Sequence, residues 1–553
     1  MNIFDIDTIL FHSPALIVAI PLLGAFLTPL VSKINDKVRN AFVILVLGCN
    51  GLLVGGLAYH IIRQSTDGVP YIKEYVFGAD TTATLNAISQ GTPLVRILFE
   101  VDALSIFMAM IASLLVFIAV IYSWSFMKEN TGLDKFYTLI LLLTAGILGM
   151  VLTGDMFNFF VFLEITSIAS CALIAFWTHK GESVEAAFKY IMISALGALF
   201  VLFAIALLYG QYDALNIAVL SSSIQYTFLD KIALILLIVA LAMKAGIVPM
   251  HMWLPDSYGR APATVTVALV GATLASLYGV LRVVFTLYGN VLTLPELAKN
   301  ISILGTNIQI FIYQYIGWFV IALAVFTIII GVIMALRQTD FKRLIAFAAV
   351  AEIGYMILGI GTAIAVVGTD AILSGGFGNI ALTGGIFHVL NDALDVGLLF
   401  LVAGAVYYAT KEVSLDSLGG LARNMKYTAI FFIIGLWAVS GMPPLNGFAS
   451  KILIYESTYQ LNPILAIVAI LCSILLLATF VKVFHSAFMG PELPKFKGVK
   501  EVPKSMLFAM GIIACIIIFI GLFPSFVIDK IVSPAVDALV NNAPYITQIL
   551  GGI

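Results

Sequence analysis

Two charged residues stand inside apolar segments long enough to cross a bilayer. Lys244 lies in LDKIALILLIVALAMKAGIVPMHMWLP, five residues before Pro249, and Glu164 lies in MFNFFVFLEITSIASCALIAF. An ammonium group at membrane depth costs about 2.5–3.5 kcal/mol on insertion scales, so it is rarely kept without a use. Pro249 removes a backbone hydrogen bond and is expected to break the helix beside the charge. A carboxylate that approaches and leaves a buried lysine loads and unloads a proton, so these residues predict ion movement.

A second set of charges lies in the C-terminal half. His388, Asp392 and Asp395 are spaced i, i+4 and i+7, which places them on one face of a helix. Three titratable groups on one intramembrane face predict a hydrated proton path, and a cation site is an alternative because hard oxygen ligands also suit Na⁺. Lys451, in the segment NGFASKILIYES, is a candidate terminal proton site. Glu352 is either a member of the relay or a buried hydrogen-bonded acid.

The composition is that of a polytopic membrane protein. The 553 residues are 61% hydrophobic and 10% charged, with a mean hydropathy of +1.09, whereas soluble domains have about 25% charged residues. A net charge of −2 gives no indication of nucleic acid as a partner. The four scattered cysteines lack metal or redox spacing, and no Gly-rich phosphate loop or nucleotide motif is present. We therefore expect no metal, no cofactor and no redox chemistry in this chain.

Apolar windows of about 20 residues predict fourteen transmembrane helices. With the first loop in the cytoplasm, 18 lysines and arginines fall in loops on that side and 6 on the other. This asymmetry predicts a multi-pass protein of the cell (inner or cytoplasmic) membrane with both termini outside. The predicted spans lie near 12–32, 40–62, 103–126, 134–154, 156–177, 186–209, 229–253, 263–288, 313–336, 343–367, 379–409, 427–457, 463–489 and 505–528.

The pattern of breaks and charges indicates an internal repeat. The seventh span carries Pro249, and the twelfth, in VSGMPPLNGFASK, carries Pro443 and Pro444. Glu164 and Glu352 are also five spans apart. An odd number of helices per unit gives inverted topology, which is common in ion transporters; the alternative is that Pro and Gly are simply frequent in membrane helices.

The resulting prediction is an all-α polytopic membrane protein with about 14 transmembrane helices, two inverted five-helix repeats and broken helices 7 and 12. The expected units are N-terminal helices 1–3 (1–126), a first repeat of helices 4–8 (127–290), a second repeat of helices 9–13 (313–490), and helix 14 with the tail (505–553).

Six segments within roughly residues 95–490 carry a family pattern: VDALSIFMAM, TGDMFNFFVFLEITSIAS, MKAGIVPMHMWLPDSYGRAP, DFKRLIAFAAVAEIGYMILG, FHVLNDALDVGLLFLVAG and GMPPLNGFASK. On these segments the chain resembles the antiporter-like membrane subunits shared by Mrp-type Na⁺/H⁺ antiporters, respiratory complex I and membrane-bound hydrogenase or sulfane reductase complexes. The stretch FNFFVFLEITSIASCALIAF is most similar to the D-type Mrp subunit and its hydrogenase counterpart.

The resemblance implies the same fourteen-helix fold with inverted repeats, and a row of charged residues at mid-membrane depth joined by water. It implies that Glu164 and Lys244 are the glutamate–lysine pair of the family. It likewise implies that Lys451 is the lysine after the second broken helix and that His388 is the first histidine of the eleventh-span motif.

Several positions depart from the family pattern. In the eighth span, Ala275 or a neighbour stands where a lysine or histidine is usual, and only Arg282 lies further along. In the eleventh span Asp392 replaces the second histidine, and Val396 occupies the usual lysine position. Glu352 stands where a histidine or polar residue is common. The middle of the usual proton path is therefore altered toward acids.

Two functions fit these residues. The first is a proton-translocating subunit of a redox-driven membrane complex related to complex I and membrane-bound hydrogenase, with Fe–S or Ni–Fe centres in partner subunits. The alternative is the D-type component of an Mrp-type multisubunit Na⁺/H⁺ antiporter. Both imply other membrane subunits as partners, H⁺ and possibly Na⁺ as the transported ion, and a lipid bilayer around the chain. The substituted eighth and eleventh spans favour the redox-driven complex, and a purely structural scaffold would leave the buried charges idle.

Overall fold

The structure, a computed structural model, describes residues 6–65, 69–81, 83–84, 96–292, 299–303, 306–310, 312–491 and 493–550. Helices account for most of these residues. The N-terminal half contains α1 (Ile6–Ser32), α2 (Asp36–Gln64), α3 (Ala103–Phe126), α4 (Leu133–Leu152), α5 (Met156–Ile174), α6 (Gly181–Tyr212), α7 (Ile217–Ser223), α8 (Phe228–Ala245), α9 (Trp253–Arg260), α10 (Ala263–Leu281) and α11 (Gly289–Leu292). The C-terminal half contains α12 (Ile312–Arg337), α13 (Phe341–Ala365), α14 (Phe377–Thr410), α15 (Lys426–Val439), α16 (Asn446–Leu461), α17 (Pro463–Val483), α18 (Lys504–Leu522), α19 (Pro524–Val527), α20 (Ser533–Val540) and α21 (Ala543–Ile549).

Twelve helices in the described part of the chain are long and apolar enough to cross a membrane. Only helices and closed barrels satisfy every backbone polar group within a bilayer, so long apolar helices are the expected elements. The predicted fold class, an all-α polytopic membrane protein, is confirmed. Helices α13 and α14 lie at the centre, because the most apolar windows of both are entirely buried inside the protein.

Two further apolar segments are interrupted helices. Helix α8 ends at Ala245, and α9 begins at Trp253 after a turn that contains Pro249. In the C-terminal half, α15 and α16 are separated by residues 440–445, which include Pro443 and Pro444. They coincide with the predicted seventh and twelfth spans. The total of fourteen spans and the two inverted repeats stay predictions.

Small residues allow close helix packing in the C-terminal half. A Cβ atom at Gly331 would lie 2.6 Å from the backbone nitrogen of Ala351, so α12 and α13 pack with their backbones in close approach. Close backbone approach through small residues is a common way to hold membrane helices together. Helix α10 packs against α3, α8 and α14 and thereby joins the two halves.

Short strands and turns form one end of the molecule, and the sequence did not predict the strands. β1 (Lys73–Val76) pairs antiparallel with β2 (Leu98–Val101), and β3 (Lys299–Ile303) pairs with β4 (Thr306–Ile310). Isolated bridges join Phe99 to Thr153 and Asp155 to Asn216. We call the end formed by the β1–β2 hairpin and these bridges the hairpin face.

Basic side chains mark the opposite end. Lys180 donates to the Tyr407 hydroxyl at 2.7 Å, and Arg260 forms an ion pair of 3.0 Å with Asp340. Both contacts join the N-terminal half to the C-terminal half. We call this end the basic face.

Candidate proton pathway

Lys244 lies in the last turn of α8, directly before the helix is interrupted. Gly246 has a φ of +76°, a conformation that favours glycine and turns the chain out of the helix. The Lys244 side chain is buried, and its ammonium group donates to Ser167 Oγ at 2.6 Å and to Ser194 Oγ at 2.8 Å. Ser194 in turn donates to Ser167 at 2.9 Å. Two serine hydroxyl groups therefore accept hydrogen bonds from the ammonium group for which the sequence predicts Glu164 as the partner.

Glu164 lies on α5, one turn before Ser167, so the two side chains share a helix face. Glu164 is close enough to Lys244 to interact with it electrostatically. Among the ion pairs of the described residues, however, none joins Glu164 to Lys244, and Glu164 Oε1 is buried without a hydrogen-bond partner. The structure brings the two residues into the same region with the carboxylate withdrawn from the ammonium group.

A small cavity with both polar and apolar lining residues adjoins Lys244. The space that the centre of a water molecule can occupy in it is about 20 Å³. The polar residues of its lining include Ser167, Ser194, Thr273 and Ser276. A water needs about 10–15 Å³ of such volume and two to four polar partners, so the cavity suits one water. Thr273 and Ser276 of α10 therefore line the same cavity as Lys244.

Tyr258 continues this polar row toward the second half. The hydroxyl groups of Tyr258 and Thr273 are 2.6 Å apart, and Tyr258 is buried. Asp392, on α14, is close enough to Tyr258 to interact with it electrostatically. Thr273 and Tyr258 thus lie between the Lys244 cavity and the side of α14 that carries His388, Asp392 and Asp395, which we call the acidic face. The basic residue that the family usually has in the eighth span is absent from this region.

Lys451 lies in α16, and its ammonium group is fully enclosed. Its Nζ atom is 2.8 Å from Glu352 Oε1 and donates to the Val439 carbonyl at 2.7 Å. The other oxygen, Glu352 Oε2, lies 2.8 Å from His388 Nε2. All three charged or titratable side chains are 1% exposed. Three helices, α13, α14 and α16, therefore contribute one group each to a buried cluster, which we call the Lys451 cluster.

Asp392 and Asp395 are buried one and two turns along α14 from His388. Asp395 Oδ1 accepts a hydrogen bond of 2.9 Å from the Asn446 side chain. Asp392 Oδ1 has no hydrogen-bond partner among the described residues. The three residues lie together in the interior, and Asp392 stands between Tyr258 and the Lys451 cluster.

Amide and hydroxyl groups complete this region, and sequence analysis did not single them out. Asn391 donates to Ser450 Oγ at 2.9 Å and to the Asn446 carbonyl at 2.9 Å. Ser450 also lies 2.9 Å from His388 Nδ1. In the sequence, only the closeness of Asn446 and Ser450 to the helix break at Pro443 and Pro444 and to Lys451 indicated that they belong to this region. Ser167 carried a similar signal, because it lies one turn from Glu164.

The described residues contain no group of three or more His, Cys, Asp or Glu side chains arranged to hold a metal ion. The buried groups that they do contain are suited to accepting, donating and passing protons, or to exchanging a small cation among oxygen ligands.

Comparison with protein families fits this arrangement. A model described as "NADH:quinone oxidoreductase/Mrp antiporter, TM" matches residues 153–308 and 291–477. These ranges include both interrupted helices and both lysines. The chain belongs to this family. A second model, described as "NADH-Ubiquinone oxidoreductase (complex I), chain 5 N-terminus", matches residues 89–137.

Relatives extend from redox complexes to antiporters. The chain is 29% identical over 544 residues to NADH-quinone oxidoreductase subunit N of Desulforudis audaxviator, covering 95% of this chain and 98% of that protein. It is 31% identical over 403 residues to the D-type component of the Na(+)/H(+) antiporter of Alkalihalophilus pseudofirmus, covering 72% and 74%. The fold resembles a chain of the Mrp complex from Dietzia sp. DQ12-45-1b with a TM-score of 0.80, 23% identity and coverage of 98% and 100%. The chain is an antiporter-like membrane subunit of this family.

Proposed function

We propose that this chain translocates protons across a cell membrane as one subunit of a redox-driven, multisubunit membrane complex. The supporting observation is the row of buried polar and charged groups from Lys244 to Lys451, which crosses an otherwise apolar protein. Charges at this depth are costly and mark ion pathways. Partner subunits would hold the Fe–S or Ni–Fe centres and supply the free energy.

In the proposed first step, Glu164 controls the charge on Lys244. The approach of the carboxylate stabilises the ammonium form, and its withdrawal favours release of the proton. The described arrangement has the carboxylate withdrawn and the ammonium group on Ser167 and Ser194. A proton released from Lys244 would pass to water in the adjoining cavity.

In the second step, the hydroxyl groups of Thr273 and Tyr258 carry the proton toward Asp392. Hydroxyl groups both donate and accept hydrogen bonds, so a pair 2.6 Å apart passes a proton by exchanging which oxygen donates. This link compensates for the basic residue that the eighth span lacks. It favours protons over Na⁺ as the transported ion, because a metal cation cannot pass along hydroxyl groups by such an exchange.

The final step involves the acidic face and the Lys451 cluster. Asp392 carries an unpartnered oxygen, and the carboxylate of Glu352 bridges His388 and Lys451. A proton that reaches Asp392 or His388 weakens the attraction of Glu352 for Lys451, which then releases its own proton. Asp395 stays hydrogen-bonded to Asn446 and contributes to the electrostatic potential around Asp392.

The proposed organisation keeps the boundaries expected from sequence: helices 1–3, two inverted repeats at 127–290 and 313–490, and a C-terminal helix with its tail. The basic face would be cytoplasmic and the hairpin face external, with both termini outside. The surrounding lipid and the neighbouring membrane subunits would cover the exposed apolar helices.

The D-type component of an Mrp-type antiporter is the second candidate function. The 31% identity to the D-type antiporter protein of Alkalihalophilus pseudofirmus favours it. In that case the same residues would couple proton movement to Na⁺ movement without electron transfer.

Proton uptake by membrane vesicles that carry the complete complex tests the proposal. Uptake is followed with a pH-sensitive dye after addition of an electron donor or after imposition of a Na⁺ gradient. Lys244→Met should abolish uptake, whereas Lys135→Met, at an exposed position, should not. Uptake that requires the electron donor supports the redox-driven complex, and uptake driven by Na⁺ alone supports the antiporter. Wild-type uptake by Lys244→Met would contradict both.

A further inference from the structure

Two glutamates face each other at the hairpin face. Glu74 of β1 and Glu100 of β2 are directly opposite in the antiparallel register. Side chains of directly opposed residues project from the same face of a hairpin and lie close together. Neither residue belongs to the pathway described above, and neither has an ion-pair partner among the described residues.

Burial distinguishes this pair from ordinary surface carboxylates. Glu100 is 0% exposed, its Oε1 atom accepts a hydrogen bond from the Asn216 side chain, and its Oε2 atom has no hydrogen-bond partner among the described residues. Glu74 is partly exposed, yet its Oε1 atom is also buried without such a partner. Glu74 is therefore the member of the pair that contacts solvent, and Glu100 lies deeper in the protein.

The buried arginine that interacts with Glu100 is already engaged. Arg282 forms a buried ion pair with Asp102 and donates to Ser105 Oγ at 3.0 Å. The ring of Tyr545, on the C-terminal helix α21, has its centroid 4.9 Å from the guanidinium carbon, and the Tyr545 hydroxyl group interacts with Glu100. Because Asp102 offsets the charge of Arg282, this guanidinium group does little to stabilise the two glutamates in the ionised form.

Two opposed carboxylates in a buried site bind a proton more tightly than either would in water. Burial raises the pKa of Glu74 to about 7, with Lys73 acting in the opposite direction. Burial likewise raises the pKa of Glu100 to about 8, against the effects of Tyr545 and Asn216. The charged and titratable groups around the pair are Tyr71 and Lys73 on the hairpin, Asp102 before α3, Asp155 before α5, Arg282 after α10 and Tyr545 on α21.

The pair lies at the end of the helix that lines the Lys244 cavity. Ser276 of α10 borders that cavity, and Arg282 follows six residues later, about 9 Å along the helix. Between them, the Tyr278 hydroxyl lies 2.9 Å from Arg282 Nε and 3.1 Å from Ser105 Oγ. Tyr278 and Ser105 therefore place hydroxyl groups at the hairpin end of α10, on a different side of the helix from Ser276 and the cavity.

We propose that Glu74 and Glu100 form the site at which the Lys244 half exchanges protons with the water at the hairpin face. Glu74 takes or releases the proton at the surface, and Glu100 passes it toward the Tyr278 and Ser105 hydroxyls. This inference rests on the proposed translocation of protons, but it concerns a site that the pathway between the two lysines does not include.

The test uses the complete complex in proteoliposomes, with the pH on each side of the membrane set independently. Wild-type translocation should depend on the pH at the hairpin face between about pH 6 and 9, because the pair titrates in this range. Glu100→Gln should lower the rate about 10²-fold and abolish that dependence. Glu129→Gln, at an exposed position near the basic face, should behave as wild type.

Infrared difference spectra of the same samples distinguish the loss of a titrating carboxyl group from a folding defect. The band of protonated carboxyl groups should titrate in the wild type and in Glu129→Gln, and lose amplitude in both Glu74→Gln and Glu100→Gln. An unchanged band or an unchanged rate in Glu100→Gln would overturn the inference. A titration that shifts with Na⁺ would also overturn it, because the site would then bind a cation. If Lys244→Met loses translocation while the carboxyl band of Glu100→Gln is unchanged, this inference alone is contradicted.

Discussion

The two lysine sites show the same types of residue in two different arrangements. Lys451 is held by Glu352, which also contacts His388, and all three side chains are enclosed. Lys244 is held by two serine hydroxyls, while Glu164 stays apart with an unpartnered oxygen. The Lys451 cluster is thus a closed ion pair, and the Lys244 site is an open one. A relay that works by joining and separating a lysine and a carboxylate requires both arrangements.

The largest expected difference between the sites concerns stability. Glu352→Gln leaves the Lys451 ammonium group buried without its counter-charge, and removal of one partner from a buried pair costs about 3–5 kcal/mol. Glu164→Gln removes no ion pair and should change the free energy of unfolding by less than about 1 kcal/mol. Thermal unfolding of the purified complex measures both. Equal destabilisation by the two substitutions would remove the distinction between a closed and an open pair.

A smaller effect is expected at the link between the sites. Tyr258→Phe removes the hydroxyl group next to Thr273 and should lower the rate of proton translocation about 10²-fold, as expected when one proton-carrying group is lost. Tyr288→Phe is the matched control, because its buried hydroxyl donates to the Asp230 carbonyl at 2.8 Å outside the proposed path. Tyr258→Phe loses two buried hydrogen bonds, to the Leu269 carbonyl and to Thr273, and Tyr288→Phe loses one, at about 1 kcal/mol each. Similar rates in the two variants would argue against the hydroxyl link.

A further difference is a pH dependence of stability at the hairpin end of the Lys244 half. The pKa of Glu100 is raised by burial from 4.5 to about 8 in the folded protein. The folded state therefore holds a proton that the unfolded state has released, and stability falls as the pH rises through this range. As the pH rises from about 4.5 to about 8, the unfolding temperature of Glu100→Gln should therefore fall less than that of the wild type. A decline as steep as in the wild type would mean that Glu100 is not the group responsible.

The positions of the buried charges could be predicted from sequence, but their partners could not. Lys244, Lys451 and Glu352 are conspicuous because a charge interrupts an apolar segment. The contacts of Glu352 with His388 and Lys451 depend on the packing of three helices, which hydropathy does not report. Thr273 and Tyr258 carry no charge, so nothing in the apolar pattern distinguishes them from ordinary polar residues of membrane helices.

The hairpin pair was hidden for a different reason. Glu74 and Glu100 are 26 positions apart in the chain, and only the β1–β2 register makes them neighbours. The surrounding stretch reads as a polar connection between two spans, which predicts exposed carboxylates. Burial by Tyr545, from the far end of the chain, is a tertiary effect without a local signal.

Proton translocation by Glu164→Gln tests the central claim most directly. The glutamine keeps the size of the side chain but cannot supply the negative charge that approaches Lys244. We predict that the variant complex assembles with wild-type stability and no longer translocates protons, whereas Glu185→Gln, at a surface ion pair with Lys189, remains active. Wild-type translocation by Glu164→Gln would contradict the proposed control of Lys244 by this carboxylate.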